Sequence, residues 1–219
     1  MTASSRPVFR GLRVAAAVAL GAAACVPHIT PITGTTVLRS LPGTALPDGH
    51  HLVVFTWTLE DPDMLSRGEG TVRTAAPDSA RVDFFLGGGL GSGAAVLIGP
   101  ELRLAPGAER VKGLFVPPAP LLWAVAGRAA PPALPDTVIR VDGDTLRVDI
   151  GKPRAWRLTF AHDSLRRVER VNGEHVVEWV SLGAAGRVRY RNEVTRRQLD
   201  VVVVRTQEAQ PHAGIWTLP

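Results

Sequence analysis

The run Val53-Val54-Phe55-Thr56-Trp57-Thr58-Leu59 decides the fold. Side chains alternate across an extended strand, so Val53, Phe55, Trp57 and Leu59 fall on one face, with Val54, Thr56 and Thr58 on the other. The same period of two recurs downstream. Val82, Phe84 and Leu86 alternate with Arg81, Asp83 and Phe85, and Trp156, Leu158 and Phe160 with Ala155, Arg157 and Thr159. Val188 and Tyr190 alternate with Arg187, Arg189 and Arg191, which places three guanidinium groups on one wetted face. The chain therefore reads as a sheet with one apolar and one polar side.

Further strands are expected at 70–74, 94–98, 101–104, 137–141, 145–150, 165–171, 175–182 and 198–205, separated by turn signals at the spacing of an antiparallel meander. Asn172-Gly173 is the strongest of these signals, because a type I′ turn needs positive φ at both central residues. Residues 119–127, with Leu121, Leu122, Trp123 and Val125, read as a short helix entered through Pro117-Pro118 and left through Gly127 and Pro131-Pro132.

Upstream, Arg6, Arg10 and Arg13 precede an apolar run from Val14 to Ala24 that ends at Cys25, the chain's single cysteine. This arrangement resembles a bacterial lipoprotein signal, which implies cleavage after residue 24 and acylation of Cys25. Val26 after the cysteine favours the outer membrane by that resemblance. The run is shorter than the roughly 20 residues a spanning helix needs, and each buried methylene of an acyl chain contributes about 0.8 kcal/mol to anchoring. Residues 25–50 hold Pro27, Pro31, Pro42 and Pro47 with Gly34, Gly43 and Gly49, and read as a tether. Residues 51–219 then form a single antiparallel domain, with five tryptophans spread along the chain.

The net charge of +5 falls to +2 without residues 1–24, and arginines alternate with acids rather than clustering, which argues against nucleic-acid binding. Gly87 to Ala94 contains a G-x-G-x-x-A pattern, but Gly99-Pro100 and a further alternating stretch follow where a dinucleotide site needs a helix. Histidines 28, 50, 51, 162, 175 and 212 show no metal-ligand spacing, Ser92 lacks a nucleophile elbow, and the pairs Asp61/Asp63 and Asp142/Asp144 suit turns. The expectation is a noncatalytic protein without metal or cofactor.

A curved antiparallel sheet with a helix on its apolar side can enclose a ligand cavity. Its candidate lining is Val53, Phe55, Trp57, Leu59, Val82, Phe84, Leu86, Leu122, Trp123, Trp156, Leu158, Phe160 and Trp179. The same side chains equally suit an ordinary filled core, and alternation alone does not choose between the two.

At this point the chain resembles the LolA/LolB family of periplasmic lipoprotein carriers and outer-membrane receptors. The likeness covers roughly residues 51–205. It is sharpest at Leu86 to Leu97, where a strand leads through Leu90-Gly91 into another, and at Val116 to Leu134, which is similar to the family's helical lid. The resemblance implies an incomplete antiparallel β-barrel, a half-barrel with a short helical lid, whose cavity receives acyl chains. It further implies Leu90 as a membrane-directed residue and a periplasmic carrier protein as a partner. The function expected is an outer-membrane-anchored, periplasm-facing monomer that binds lipid or lipoprotein acyl chains. The alternative is a structural envelope lipoprotein that docks a partner protein.

Overall fold

The computed structural model describes residues 26–43, 45–89, 91–105, 119–132, 134–210 and 214–218. In chain order the strands are β1 (Thr35–Thr36), β2 (His50–Asp61), β3 (Met64–Ala75), β4 (Ser79–Leu86), β5 (Ser92–Ile98) and β6 (Glu101–Leu104), then helix α1 (Ala119–Val125). There follow β7 (Val138–Asp142), β8 (Thr145–Ile150), β9 (Trp156–Ala161), β10 (Ser164–Asn172), β11 (His175–Leu182), β12 (Arg187–Asn192) and β13 (Arg197–Glu208). Among the described residues these thirteen strands make one unclosed antiparallel sheet in the order β1-β7-β8-β9-β10-β11-β12-β13-β2-β3-β4-β5-β6.

That order dictates where the helix lies. Both halves of the chain are hairpin meanders, joined in the middle of the sheet where β13 pairs with β2 from Gln198↔Glu60 to Glu208↔His51. β6 is at one margin and β7 is next to the other, and helix α1 falls between these two strands in the chain. It packs on β10, β11 and β12. A seven-residue helix does not hold itself together in water; burial of Leu121, Leu122, Trp123 and Ala124 holds this one. Its end is a Schellman cap, with Gly127 at φ 75°, Gly127 N–H donating to Ala124 O (3.0 Å) and Arg128 N–H to Trp123 O (2.7 Å).

β3 begins at Met64, six residues before the expected strand, and its inward positions Gly68 and Gly70 carry no side chain. Gly68 pairs with Trp57 and Gly70 with Phe55. A Cβ on Gly68 would lie 2.6 Å from the Trp57 ring, and one on Gly70 2.3 Å from the Phe55 ring. The two aromatic rings thus lie across the glycines and fill the width of β3. Phe84 on β4 closes the row edge-on, 5.5 Å from Phe55 and 6.4 Å from Trp57.

Two sequence expectations change here. Asn172 pairs with His175, so the β10–β11 loop is Gly173-Glu174, with positive φ at Gly173 alone. Positive φ at both central residues occurs instead at His162 (48°) and Asp163 (59°), between β9 and β10. The expected tether is bound to the sheet over its described residues. His28 bridges to His175, β1 pairs with β7, and Leu46 is buried with its N–H on Pro77 O (3.1 Å). Residues 26–50 therefore run from the outer face around the β1 margin to the helix-bearing face, because their polar backbone finds partners there.

Candidate functional site

The helix-bearing face carries two apolar clusters. One unites Val53, Phe55, Trp57, Leu59, Val82 and Phe84 with Leu121, Leu122 and Trp123 of α1 and with Val180, Val188 and Tyr190, and Leu86 packs against it. The other holds Ile139, Leu146, Val148, Leu158, Phe160, Leu165 and Val168. Trp156 packs against both, and its ring lies 5.9 Å from that of Trp123. Of the thirteen residues expected on this face, twelve are on it.

Trp179 is the exception. It lies on the outer face, where its Nε1–H donates to Glu193 Oε1 (2.7 Å) and Arg167 stacks 4.3 Å above its ring. The inward residues of β11 are Val176, Glu178 and Val180, fixed by the register Val180↔Tyr190 with the unambiguous alternation of β12. Cys25 and Leu90 lie outside the described residues.

The space between helix and sheet is filled by the protein's own side chains. Phe55 is 1 % exposed, Trp57 2 %, Leu122 1 % and Trp123 2 %, so these side chains are almost wholly shielded from solvent. The larger surface hollows described lie elsewhere. A groove of about 560 Å³ runs over Thr56, Thr58, Arg67, Phe85 and Val202 of the outer face and reaches the end of the sheet at Trp57, Gly68 and Leu86. Another, of about 590 Å³, lies beside Arg140, Lys152 and Arg154.

The apolar face has one polar corner that the sequence reading did not assign to it. Glu178, buried, accepts from Arg170 Nε (2.5 Å) and from Tyr190 Oη (3.0 Å). Arg170 in turn pairs in register with Trp156. Burial, and next the Glu178 carboxylate, raise the Tyr190 phenol well above its ordinary value. The signal was present in sequence, since Glu178 is the only charged residue between Val176 and Val180.

The outer face is largely self-neutralised. Arg189 pairs with Asp200 (2.6 Å), Arg191 with Glu193 (3.0 Å) and Arg81 with Asp83 (2.9 Å), while the Arg197–Asp61 pair shares the strand phase of Leu59 and Leu199 at the end of the apolar face. Asp149 receives a two-point pairing from Arg157 (2.7 and 3.0 Å). Among the described residues no three His, Cys, Asp or Glu side chains converge as metal ligands, and no helix is long and apolar enough to cross a membrane.

An open antiparallel barrel with a helix on its apolar face is a LolA-like fold, and comparison with solved structures finds that likeness. A LolA superfamily protein from Nitrosomonas europaea superposes with a TM-score of 0.50 over 79% of this chain and 92% of that one, at 10% identity. A domain described as a putative outer membrane lipoprotein-sorting protein from Vibrio parahaemolyticus gives 0.45 at 6% identity, over 77% of this chain and 89% of that one. A DUF1329 family protein from Desulfovibrio piger gives 0.42 at 9% identity with the same coverages. No family model and no curated protein matches the sequence. The likeness is one of fold.

Proposed function

We propose that this chain is a noncatalytic envelope lipoprotein that takes acyl chains between α1 and the apolar face of its sheet. In this reading Cys25 carries the lipid anchor at the outer membrane, the domain faces the periplasm, and Leu90 is directed at the membrane. The observation that carries the reading is that, among the described residues, the apolar cluster around Phe55 and Trp57 is met on its open side by one seven-residue helix, through Leu121, Leu122 and Trp123. The filled interior is then the closed, empty state, and cargo replaces the side chains of α1. The shared fold with a LolA superfamily protein supports the same reading. Saturable binding of a fluorescent fatty acid by the mature protein, abolished by Trp156→Glu, is the expected result; absence of saturable binding by the wild type overturns it.

One observation favours a second reading. A core this densely filled also suits a structural lipoprotein that docks a partner protein through its outer face or through β6, the last strand of the described sheet. That reading predicts no lipid binding and stable copurification of another envelope protein.

A further inference from the structure

Among the described residues the buried charged side chains are Arg128, Asp149, Arg157 and Glu178, and all but Arg128 have a charged partner within hydrogen-bond distance. Arg157 and Asp149 hold each other at two points, and Glu178 is held by Arg170 and Tyr190. Arg128, in contrast, is 3 % exposed, and its one side-chain hydrogen bond is a long one, Nη1 to Pro77 O at 3.3 Å. That carbonyl already accepts Leu46 N–H. Arg128 Nε is buried without a hydrogen-bond partner. Asp78 is the acid whose charge it feels, but burial outweighs that attraction and lowers the guanidinium pKa.

The position of this cation matters as much as its isolation. Arg128 directly follows the glycine cap of α1, and its neighbour Ala129 is fixed by an N–H to Gly43 O bond of 2.9 Å. It therefore lies at the end of the apolar face beside Gly43, Leu46 and the turn between β3 and β4. On the same connection Trp123 buries a second unpartnered donor, its indole Nε1–H. Buried donors without a hydrogen bond are rare and disfavoured in folded proteins; of the four among the described residues, two sit on the segment that carries α1. A guanidinium recognises a carboxylate or a phosphate through a planar two-point pairing.

We propose that Arg128 receives the anionic head of the cargo, so that the ligand is an amphiphile with one carboxylate or phosphate on a hydrocarbon tail. The tail lies on the apolar face beneath α1. This inference rests on the acyl-chain reading above, and it narrows that reading away from neutral esters and amides.

The test uses the mature protein and three monomeric probes: oleate, lysophosphatidic acid with an oleoyl chain, and methyl oleate. One or both anionic probes bind at least roughly tenfold tighter than methyl oleate, and the tighter of the two identifies the head. Arg128→Gln lowers anionic-probe affinity to that of the ester and leaves methyl oleate binding unchanged, with its melting temperature reporting that it folds. Equal wild-type affinity for all three probes, or an anion preference undiminished in a folded Arg128→Gln protein, overturns the inference and leaves acyl-chain binding standing. No saturable binding of any probe overturns both. Should Arg128→Gln not fold, Arg128→Lys takes its place, and the wild-type comparison of both anionic probes with methyl oleate still stands: no preference for either anion overturns the inference.

Discussion

Replacing Leu122 by alanine sets the closed state against the ligand-bound one. Leu121, Leu122 and Trp123 are fully buried against the sheet, and three large side chains of this kind contribute roughly 5–9 kcal/mol by burial. An acyl chain burying about a dozen methylenes on the same face gains roughly 10 kcal/mol before the costs of association. The two terms are of similar size, so modest weakening of the helix contact should move the balance. Leu122→Ala costs about 2–5 kcal/mol of closed-state stability. When only the opened form binds, apparent affinity scales with its population, and the lower end of that range corresponds to a gain of roughly 30-fold. The variant is therefore expected to melt at a lower temperature and yet bind a fluorescent fatty acid more tightly. Fluorescence titration beside a thermal melt checks both at once. A lower melting temperature with unchanged or weaker binding refutes the reasoning, because it would make α1 part of a permanent core.

Three further predictions follow from particular residues. Tyr190 is the chain's only tyrosine, so phenolate absorbance reports it alone; its raised pKa means that the unfolded chain loses this proton first as pH climbs past about 10. Stability from Tyr190 is thus fully present below that pH and falls above it, and in Tyr190→Phe urea melts across the same range should show a smaller fall. Gly70→Ala drives a methyl group into the Phe55 ring and against Asp83 O, and should cost about 1–3 kcal/mol; Phe55→Leu in the same chain should recover part of this, seen as non-additivity in a double-mutant cycle. Cys25→Ser should release the protein from membranes in cell fractionation while leaving the probe affinity of the mature domain unchanged.

The strands were legible because most inward positions carry a large apolar residue and most outward ones a charge or hydroxyl. β3 was only half legible for a physical reason: its inward positions 68 and 70 are glycine, and the rings that occupy them belong to Trp57 and Phe55 on the neighbouring strand. In β11 both phases are apolar, Val177 and Trp179 against Val176 and Val180, so parity could be read only through the register with β12. Residues 26–50 looked unstructured because their order comes from backbone bonds to distant strands, which no local pattern announces. Whether the apolar face was empty was invisible to alternation, which marks a side and says nothing of what lies against it. Arg128 was likewise silent in sequence, since an arginine after a helix is ordinarily a solvated one; only its burial makes it a candidate.

The central claim is that α1 yields its place to hydrocarbon, and amide hydrogen exchange on the mature protein, with and without saturating oleate, tests it most directly. The account predicts that bound ligand speeds exchange at Leu122 to Ala126 while β2 and β13 stay protected. Oleate that fails to bind, or that binds and leaves those helix amides as protected as before, contradicts it.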